Sequence, residues 1–268
     1  MKGRVLICAG SDSGGGAGIQ ADIKSVTALG GFAMTAITAL TSQNTLGVQG
    51  VLGVEPAFIR QQIASVMDDL GADAIKTGML HDVPTIEAVC DELTARARGI
   101  PLVADPVMVA KGGHHLLAPD AVQTLKRRLL PLAALATPNI PEAEVLADMP
   151  IDGEASMLAA ARAILAHGVP AVLLKGGHME GEVLVDLLVT AEGVVRFEDR
   201  RIDTPHTHGT GCTLASAIAT GLAQGLALEP AVARARRYVR AAILAAPGYG
   251  GGHGPLDHGV TVEAGRFD

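Results

Sequence analysis

Short apolar runs alternate along this chain with longer stretches whose apolar residues recur every three or four positions. Residues 4–9 form such a run and stop at Gly10, after which residues 17–29 carry Ile19, Ile23 and Val26 at helical spacing. The order of strand, glycine loop and helix then repeats. Residues 33–40 predict a strand, and Ile59, Ile63, Val66, Met67 and Leu70 mark a helix entered through Pro56. Residues 74–77 and 102–104 predict buried strands. A helix through Ile86, Val89, Cys90 and Leu93 lies between them, and one through Val122, Leu125 and Leu129 follows. Residues 133–137 and 171–174 complete the alternating strands, separated by helices over residues 143–147 and through Met157, Ala160, Ile164 and Leu165. Residues 183–189 and 194–197 flank a short turn and predict an antiparallel hairpin. Two helices close the pattern, the second carrying Val232, Tyr238, Val239 and Ile243.

Apolar strands separated by amphipathic helices specify a mostly parallel central sheet covered on both faces. The expected fold class is α/β, three layers deep, with the hairpin as an antiparallel edge. No internal repeat, charge block or long Pro/Ser-rich linker interrupts the chain, so residues 1–268 are expected to form a single domain. The glycine-rich segment 247–255 lies beyond the last helix and either closes over a site or trails from the fold.

Composition narrows the function. A chain of 268 residues that is 49% hydrophobic can bury a large core. Aromatics are only 2% and the net charge is -7, so stacking platforms and a phosphate-backbone footprint both lack material, and no nucleic-acid partner is expected. Cys8, Cys90 and Cys212 lie far apart without metal-ligand spacing, and no leader pattern opens the chain, which together favour a reducing, cytoplasmic setting. No apolar run reaches the roughly 18 residues of a membrane span, so no membrane partner is expected either.

In an open parallel sheet, ligands bind beyond the carboxyl ends of the strands, so polar residues just after apolar runs carry the most information. Here those are Asp12, Gln43 with Asn44, Asp105, Asn139 with Glu142, and Lys175 with Gly176 and Gly177. The stretch from His206 to Thr213 precedes the helical pattern of Leu214, Ile218 and Leu222, which places the N–H groups of residues 209–213 at a helix N-terminus, an anion site. Its glycines permit close approach, and Cys212 would sit beside the anion as nucleophile or proton acceptor.

Each position also has a plainer reading. Asp12 suits a turn, Gln43-Asn44 a solvated loop, and Asp105-Pro106 a turn cap. Glu142 is either a first-turn carboxylate favoured by the helix dipole or a water-mediated Mg²⁺ ligand. Lys175 is either solvated or a point charge on a nucleotide phosphate, and Cys212 could be a small buried hydrophobe beside a helix cap. His178, His206, His208 and His253 are individually ambiguous. No G-x-x-x-x-G-K-[ST] motif or convincing dinucleotide fingerprint is present. The components of phosphoryl transfer by another design are nonetheless there: an anion-binding helix start, acids for Mg²⁺, a lysine and a candidate base.

Taken in order, Ala9-Gly10-Ser11-Asp12 through Gly18-Ile19-Gln20-Ala21-Asp22, Gln43-Asn44-Thr45, Asp105-Pro106-Val107-Met108, Thr137-Pro138-Asn139 with Glu142, Lys175-Gly176-Gly177-His178 and His208-Gly209-Thr210-Gly211-Cys212-Thr213 resemble the hydroxymethylpyrimidine/phosphomethylpyrimidine kinases. The resemblance extends to Gly252-His253-Gly254-Pro255-Leu256. It implies a ribokinase-like fold and MgATP-dependent phosphorylation of hydroxymethylpyrimidine and then of its monophosphate, supplying the pyrimidine half of thiamine. By the same resemblance, Gln43 would hydrogen-bond the aminopyrimidine, with Gly10, Asp12, Met79 and Val107 around the substrate. Gly209, Gly211 and Cys212 would form a catalytic anion hole, Asp105 and Glu142 would hold Mg²⁺, and Asn139, Thr210 and Lys175 would meet ATP. Ser13-Gly14 stands where many relatives carry Pro-Ser, and Cys212 stands where sugar kinases of the wider superfamily place Asp. A vitamin B6 kinase and a catalytically silent ligand-binding protein on the same fold remain the competing readings, and a homodimer is left open.

Overall fold

The computed structural model describes residues 2–109, 116–118, 120–179 and 181–263. Its centre is a nine-stranded sheet in the order β3-β2-β1-β4-β5-β6-β7-β8-β9. The strands are β1 (Arg4–Asp12), β2 (Phe32–Asn44), β3 (Gly47–Gly53), β4 (Ala74–Thr77), β5 (Leu102–Ala104), β6 (Leu135–Ala136), β7 (Ala171–Lys175), β8 (Val183–Thr190) and β9 (Val194–Arg200). From β2 through β7 every pairing is parallel, while β3 and the β8–β9 hairpin run antiparallel at the two edges. The expected hairpin is therefore present, and a second antiparallel edge, β3, joins it. β1 and β2 run past their apolar stretches into polar residues because Ser11 and Asp12 find ladder partners in β2, and Ser42, Gln43 and Asn44 find theirs in β3.

Period-two alternation divides the core. Leu6 and Cys8 of β1 face one layer, packed with Ile59, Ile86, Val89, Leu129, Leu146 and Ile164. Val5, Ile7 and Ala9 face the other, with Ile19, Val26, Leu214, Ile218 and Val232. The first layer is built from α2 (Pro56–Asp69), α3 (Val83–Arg96), α4 (Ala121–Thr124, continued by a wider turn over Leu125–Leu129), α5 (Ile140–Ala147) and α6 (Glu154–Leu165). α1 (Gly18–Ala28), α7 (Thr210–Ala223) and α8 (Leu228–Leu244) form the second.

Two helix starts bear on the site. Asn139 caps α5 through a capping box, accepting from the Glu142 N–H at 2.9 Å while Glu142 accepts from the Asn139 N–H at 2.8 Å. α7 begins after Gly209, whose φ of +84° lies in the left-handed region, and a Cβ there would fall 1.8 Å from the Gly16 carbonyl oxygen. That closeness clamps the β1–α1 loop onto the start of α7. Segment 247–255 does not trail. The His253 N–H donates to the Thr45 carbonyl (2.9 Å), at the tip of the β2–β3 hairpin, and the His208 N–H donates to the Gly254 carbonyl (3.2 Å), one residue before Gly209.

Candidate active site

The carboxyl ends of the parallel strands open into a cleft of about 650 Å³. Most residues singled out from the sequence line it: Gly10, Asp12, Gln43, Met79, Asp105, Val107, Asn139, Glu142, Lys175, and Gly209 through Cys212; Asn44, Gly176, His206 and His253 do not. The parallel sheet accounts for this convergence, since each strand delivers its terminal polar residue to the same edge.

At one end, Asp105 extends from β5 and Lys175 from β7. Asp105 Oδ1 accepts from the Thr137 hydroxyl (2.9 Å) and from Lys175 Nζ (3.2 Å). Asp105 Oδ2 is buried and has no hydrogen-bond partner. Burial opposes the charge on Lys175, but Asp105 and Glu142 outweigh it and hold the ammonium pKa above its ordinary value. A bridge beside Asn139 places that residue next to Lys175. Burial pushes Glu142 up to about 7, Asp105 adds to the effect, and Lys175 with the N–H groups of Asn139 and Met108 pulls against it. Glu142 thus both caps α5 and lines the cleft. Behind Lys175, the Gly176 N–H donates to Asp186 Oδ1 (2.9 Å), and Arg236 Nε donates to Asp186 Oδ2 (2.9 Å). A side chain at position 176 would meet the Val185 carbonyl oxygen at 1.9 Å, so the lysine is followed by the one residue this backbone admits.

The start of α7 faces this end of the cleft. A Cβ on Gly211 would lie 3.3 Å from Lys175 Nζ and 3.6 Å from Asp105 Oδ2, which places the first turn directly against the charged pair. Helix geometry leaves the Gly211 and Cys212 N–H groups without intrahelical acceptors, the arrangement that attracts phosphate. The Thr210 hydroxyl turns back to the Thr207 carbonyl. A helix start ordinarily favours a thiolate, yet burial pushes the Cys212 thiol up to about 11. Asp22 and Asp105 reinforce that rise, against Lys76 and the Gly18 backbone. A pKa so raised favours the thiol form of Cys212 at neutral pH.

At the other end Asp12 accepts from the N–H groups of Gly14 (2.8 Å), Gly16 (3.1 Å) and Ala17 (2.8 Å), and pairs with His208 Nε2 at 2.9 Å. Burial raises its pKa, but His208 and these N–H groups outweigh burial and bring it below the ordinary value. Its oxygens therefore serve the first loop as well as the cleft wall. The Gln43 amide lies 3.1 Å from Thr41 Oγ1 and 3.4 Å from His208 Nε2. Met79 closes the floor, its sulfur 3.1 Å from where a Cβ on Gly10 would sit.

Sequence patterns passed over the group beneath this cleft. Lys76 of β4 and Asp22 of α1 are both 0% exposed and paired at 2.9 and 3.0 Å, and the Ser216 hydroxyl of α7 donates to Asp22 at 2.7 Å. Burial opposes the charge on Lys76; the Asp22 carboxylate more than offsets this and raises its pKa. The available signal was a lysine inside a fully buried strand and an acid on the apolar stripe of α1, since charges are buried only when paired. His208, ambiguous in sequence, joins the first loop to the start of α7. Among the described residues, no three His, Cys, Asp or Glu side chains form a metal cage, and no helix is long and apolar enough to cross a membrane.

The sequence model of the phosphomethylpyrimidine kinase family matches residues 12–257. The chain is 53% identical, over 98% of its length, to the thiamine biosynthesis bifunctional protein ThiED of Geobacter sulfurreducens, of which it spans about half (53%). It is 48% identical to the hydroxymethylpyrimidine/phosphomethylpyrimidine kinase of Streptomyces coelicolor, covering 96% of this chain and 95% of that one. Among solved structures, the ADP complex of Bacillus subtilis pyridoxal kinase superposes with a TM-score of 0.90 at 37% identity, covering 97% of this chain and 98% of that one. The phosphomethylpyrimidine kinase of Clostridium difficile superposes at 0.80 with 40% identity, covering 89% and 98%. With the cleft, the family match and the full-length relatives in agreement, this chain belongs to the phosphomethylpyrimidine kinase family.

Proposed function

We propose that this chain transfers the γ-phosphoryl group of ATP to the hydroxymethyl group of 4-amino-5-hydroxymethyl-2-methylpyrimidine, and then to the resulting monophosphate, as a cytoplasmic enzyme of thiamine biosynthesis. The observation that carries this reading is the meeting of the α7 N-terminus with the Asp105–Lys175 pair across Gly211. Donors for a transferring phosphoryl group, a cation for ATP phosphates and a buried carboxylate oxygen with no partner share one end of the cleft.

The donor set fits Mg²⁺. Asp105 Oδ2 and Glu142 are hard oxygen ligands, and an ion that keeps several waters needs few protein groups. When bound, Mg²⁺ supplies charge neutralisation at the ATP phosphates. Lys175 holds the phosphate chain in place, and the Gly211 and Cys212 N–H groups take up charge on the equatorial oxygens of the transferring group. Gln43 fixes the ring at the far end so that the hydroxymethyl oxygen points towards α7. The alcohol oxygen forms the new O–P bond as the bond to ADP breaks, and its proton passes to Cys212 Sγ. Only the thiolate can accept it, so turnover through Cys212 follows the thiolate fraction.

Structural likeness to pyridoxal kinases supports a second reading, in which a vitamin B6 alcohol is also phosphorylated. Incubating the protein with MgATP and hydroxymethylpyrimidine, its monophosphate or pyridoxal in separate reactions, then identifying products by mass, tests both. Absence of any phosphorylated pyrimidine would overturn the first reading.

A further inference from the structure

β7 and β8 pair so that Lys175 stands directly opposite Asp186, whose partner on its other side is Phe197 of β9. Residues directly opposite in an antiparallel pair share a face, close enough for opposite charges to meet. The Lys175 ammonium nevertheless turns to Asp105 Oδ1, 3.2 Å away, where it faces the first turn of α7. What surrounds Asp186 accounts for that choice. Its Oδ1 accepts from the Gly176 N–H and its Oδ2 from Arg236 Nε, each at 2.9 Å, so both oxygens are engaged and the charge is matched. Arg236 reaches over from α8 with its side chain only 10% exposed. Its Nη1 lies 3.0 Å from Asp199 Oδ2, and its guanidinium carbon 5.1 Å from the centre of the Phe197 ring. A planar fork can span two acids and stack on a ring at once, which a lysine cannot do.

We infer that Arg236 is a positioning residue for phosphoryl transfer: by holding Asp186 it keeps that acid from drawing Lys175 out of the cleft. The inference rests on the assignment of Lys175 to the ATP phosphates made above. A buried carboxylate needs a cation. With the guanidinium removed, Asp186 finds its replacement directly across the ladder in Lys175, and the ammonium leaves Asp105 and the phosphate site. The same arginine steadies the backbone there. The Lys175 N–H donates to the Pro138 carbonyl at 2.9 Å and the Gly176 N–H to Asp186, so the peptide planes on both sides of the Lys175 Cα are held, the second through Asp186. Glycine has the widest backbone freedom, so that second bond limits the segment where it is most able to turn.

The test measures kcat/KM for MgATP and for hydroxymethylpyrimidine, each with the other substrate saturating. Lys175→Met should lose at least about tenfold with MgATP, the scale of one charge-assisted hydrogen bond. Arg236→Met should lose about tenfold with MgATP, mostly through KM, and leave the KM for the pyrimidine unchanged. Adding Asp186→Asn to Arg236→Met removes the competing charge, keeps an amide oxygen for the Gly176 N–H, and should recover most of the loss. Adding Lys175→Met to Arg236→Met should lower activity no further than Lys175→Met alone. An arginine that only stabilised α8, or that touched the nucleotide itself, would give a loss that multiplies with that of Lys175→Met and that Asp186→Asn does not relieve. Either result overturns the inference and leaves Lys175 at ATP. A Lys175→Met enzyme with wild-type use of MgATP would overturn the reading of Lys175 and this inference with it. Should Arg236→Met fold too poorly to assay, its combination with Asp186→Asn decides, because it holds no unmatched acid at this position; a loss of about tenfold or more with MgATP in that variant overturns the inference.

Discussion

Replacing Lys76 by Met removes the ammonium from a pair whose side chains are both 0% exposed. Asp22 then keeps the Ser216 hydroxyl at 2.7 Å, and a carboxyl so placed takes up a proton rather than remain charged. In the unfolded chain the same group ionises with a pKa of about 3.9, so holding it protonated at pH 7 costs about 1.4 kcal/mol for each of about three pH units, or about 4 kcal/mol. This agrees with the roughly 3–5 kcal/mol lost when one partner of a buried pair is removed. The sign follows from proton binding: above about pH 4 the folded variant holds a proton that the unfolded chain releases, so the destabilisation grows with pH. At pH 5 it should be only about 1.5 kcal/mol. Urea unfolding of wild type and Lys76→Met at pH 5, 6 and 7 measures the slope. The double variant Lys76→Met with Asp22→Asn leaves no acid at this pair and should recover most of the loss, with no pH dependence beyond that of the wild type. Equal destabilisation at pH 5 and pH 7, or a double variant no more stable than the single one, would refute the reasoning.

The site itself supports further expectations. Gln43→Leu should lower kcat/KM for the aminopyrimidine by about 1–3 kcal/mol, since ring polar groups are left unpaired; equal efficiency would disprove the contact. Asp105→Asn should weaken MgATP use more than pyrimidine binding, and calorimetry with each ligand separates the two. With the Cys212 thiol pushed up to about 11, wild-type single-turnover rates should rise about tenfold per pH unit from neutrality, and Cys212→Ala should reduce the rate about 10²-fold and flatten the profile. A flat wild-type profile would mean the thiol is not the base. Glu142, pushed up to about 7 from an ordinary 4.5, binds a proton on folding that the unfolded chain lacks in that interval. The unliganded protein should therefore lose up to about 3 kcal/mol as pH rises from 4.5 to 7, and Glu142→Gln should remove that dependence in denaturation curves.

Apolar periodicity was sufficient to locate every parallel strand and the β8–β9 hairpin, because burial of a parallel strand leaves a continuous apolar run. β3 has no such mark: Gly47–Gly53 contains three glycines and shows no clean alternation, and four of its six partners in β2, Thr41, Ser42, Gln43 and Asn44, are polar. The strand-end residues were legible because the topology sends them all to one edge. The Lys76–Asp22 pair was not, because its members are 54 residues apart in sequence and each interrupts an apolar pattern when viewed singly. Cys212 shows a different limit. Its place at a helix start is written in Gly209-Thr210-Gly211, but the acids and burial that raise its pKa come from other elements.

Segment 247–255 makes the two ends of the cleft parts of one mechanical chain. The His253 N–H is fastened to Thr45 at the hairpin tip, and the carbonyl of the very next residue, Gly254, is fastened to His208 beside the anion site. Fixed at both ends by adjacent residues, the tie has no slack to absorb a displacement. A ligand that draws the hairpin tip inward pulls on the residue before Gly209, so ring binding at one end can tighten the phosphate cradle at the other. Its span matters as much as its side chains. One glycine inserted between His253 and Gly254 would leave every cleft residue in place yet uncouple the two ends, a loss that faster hydrogen exchange at the His208 and His253 amides would register.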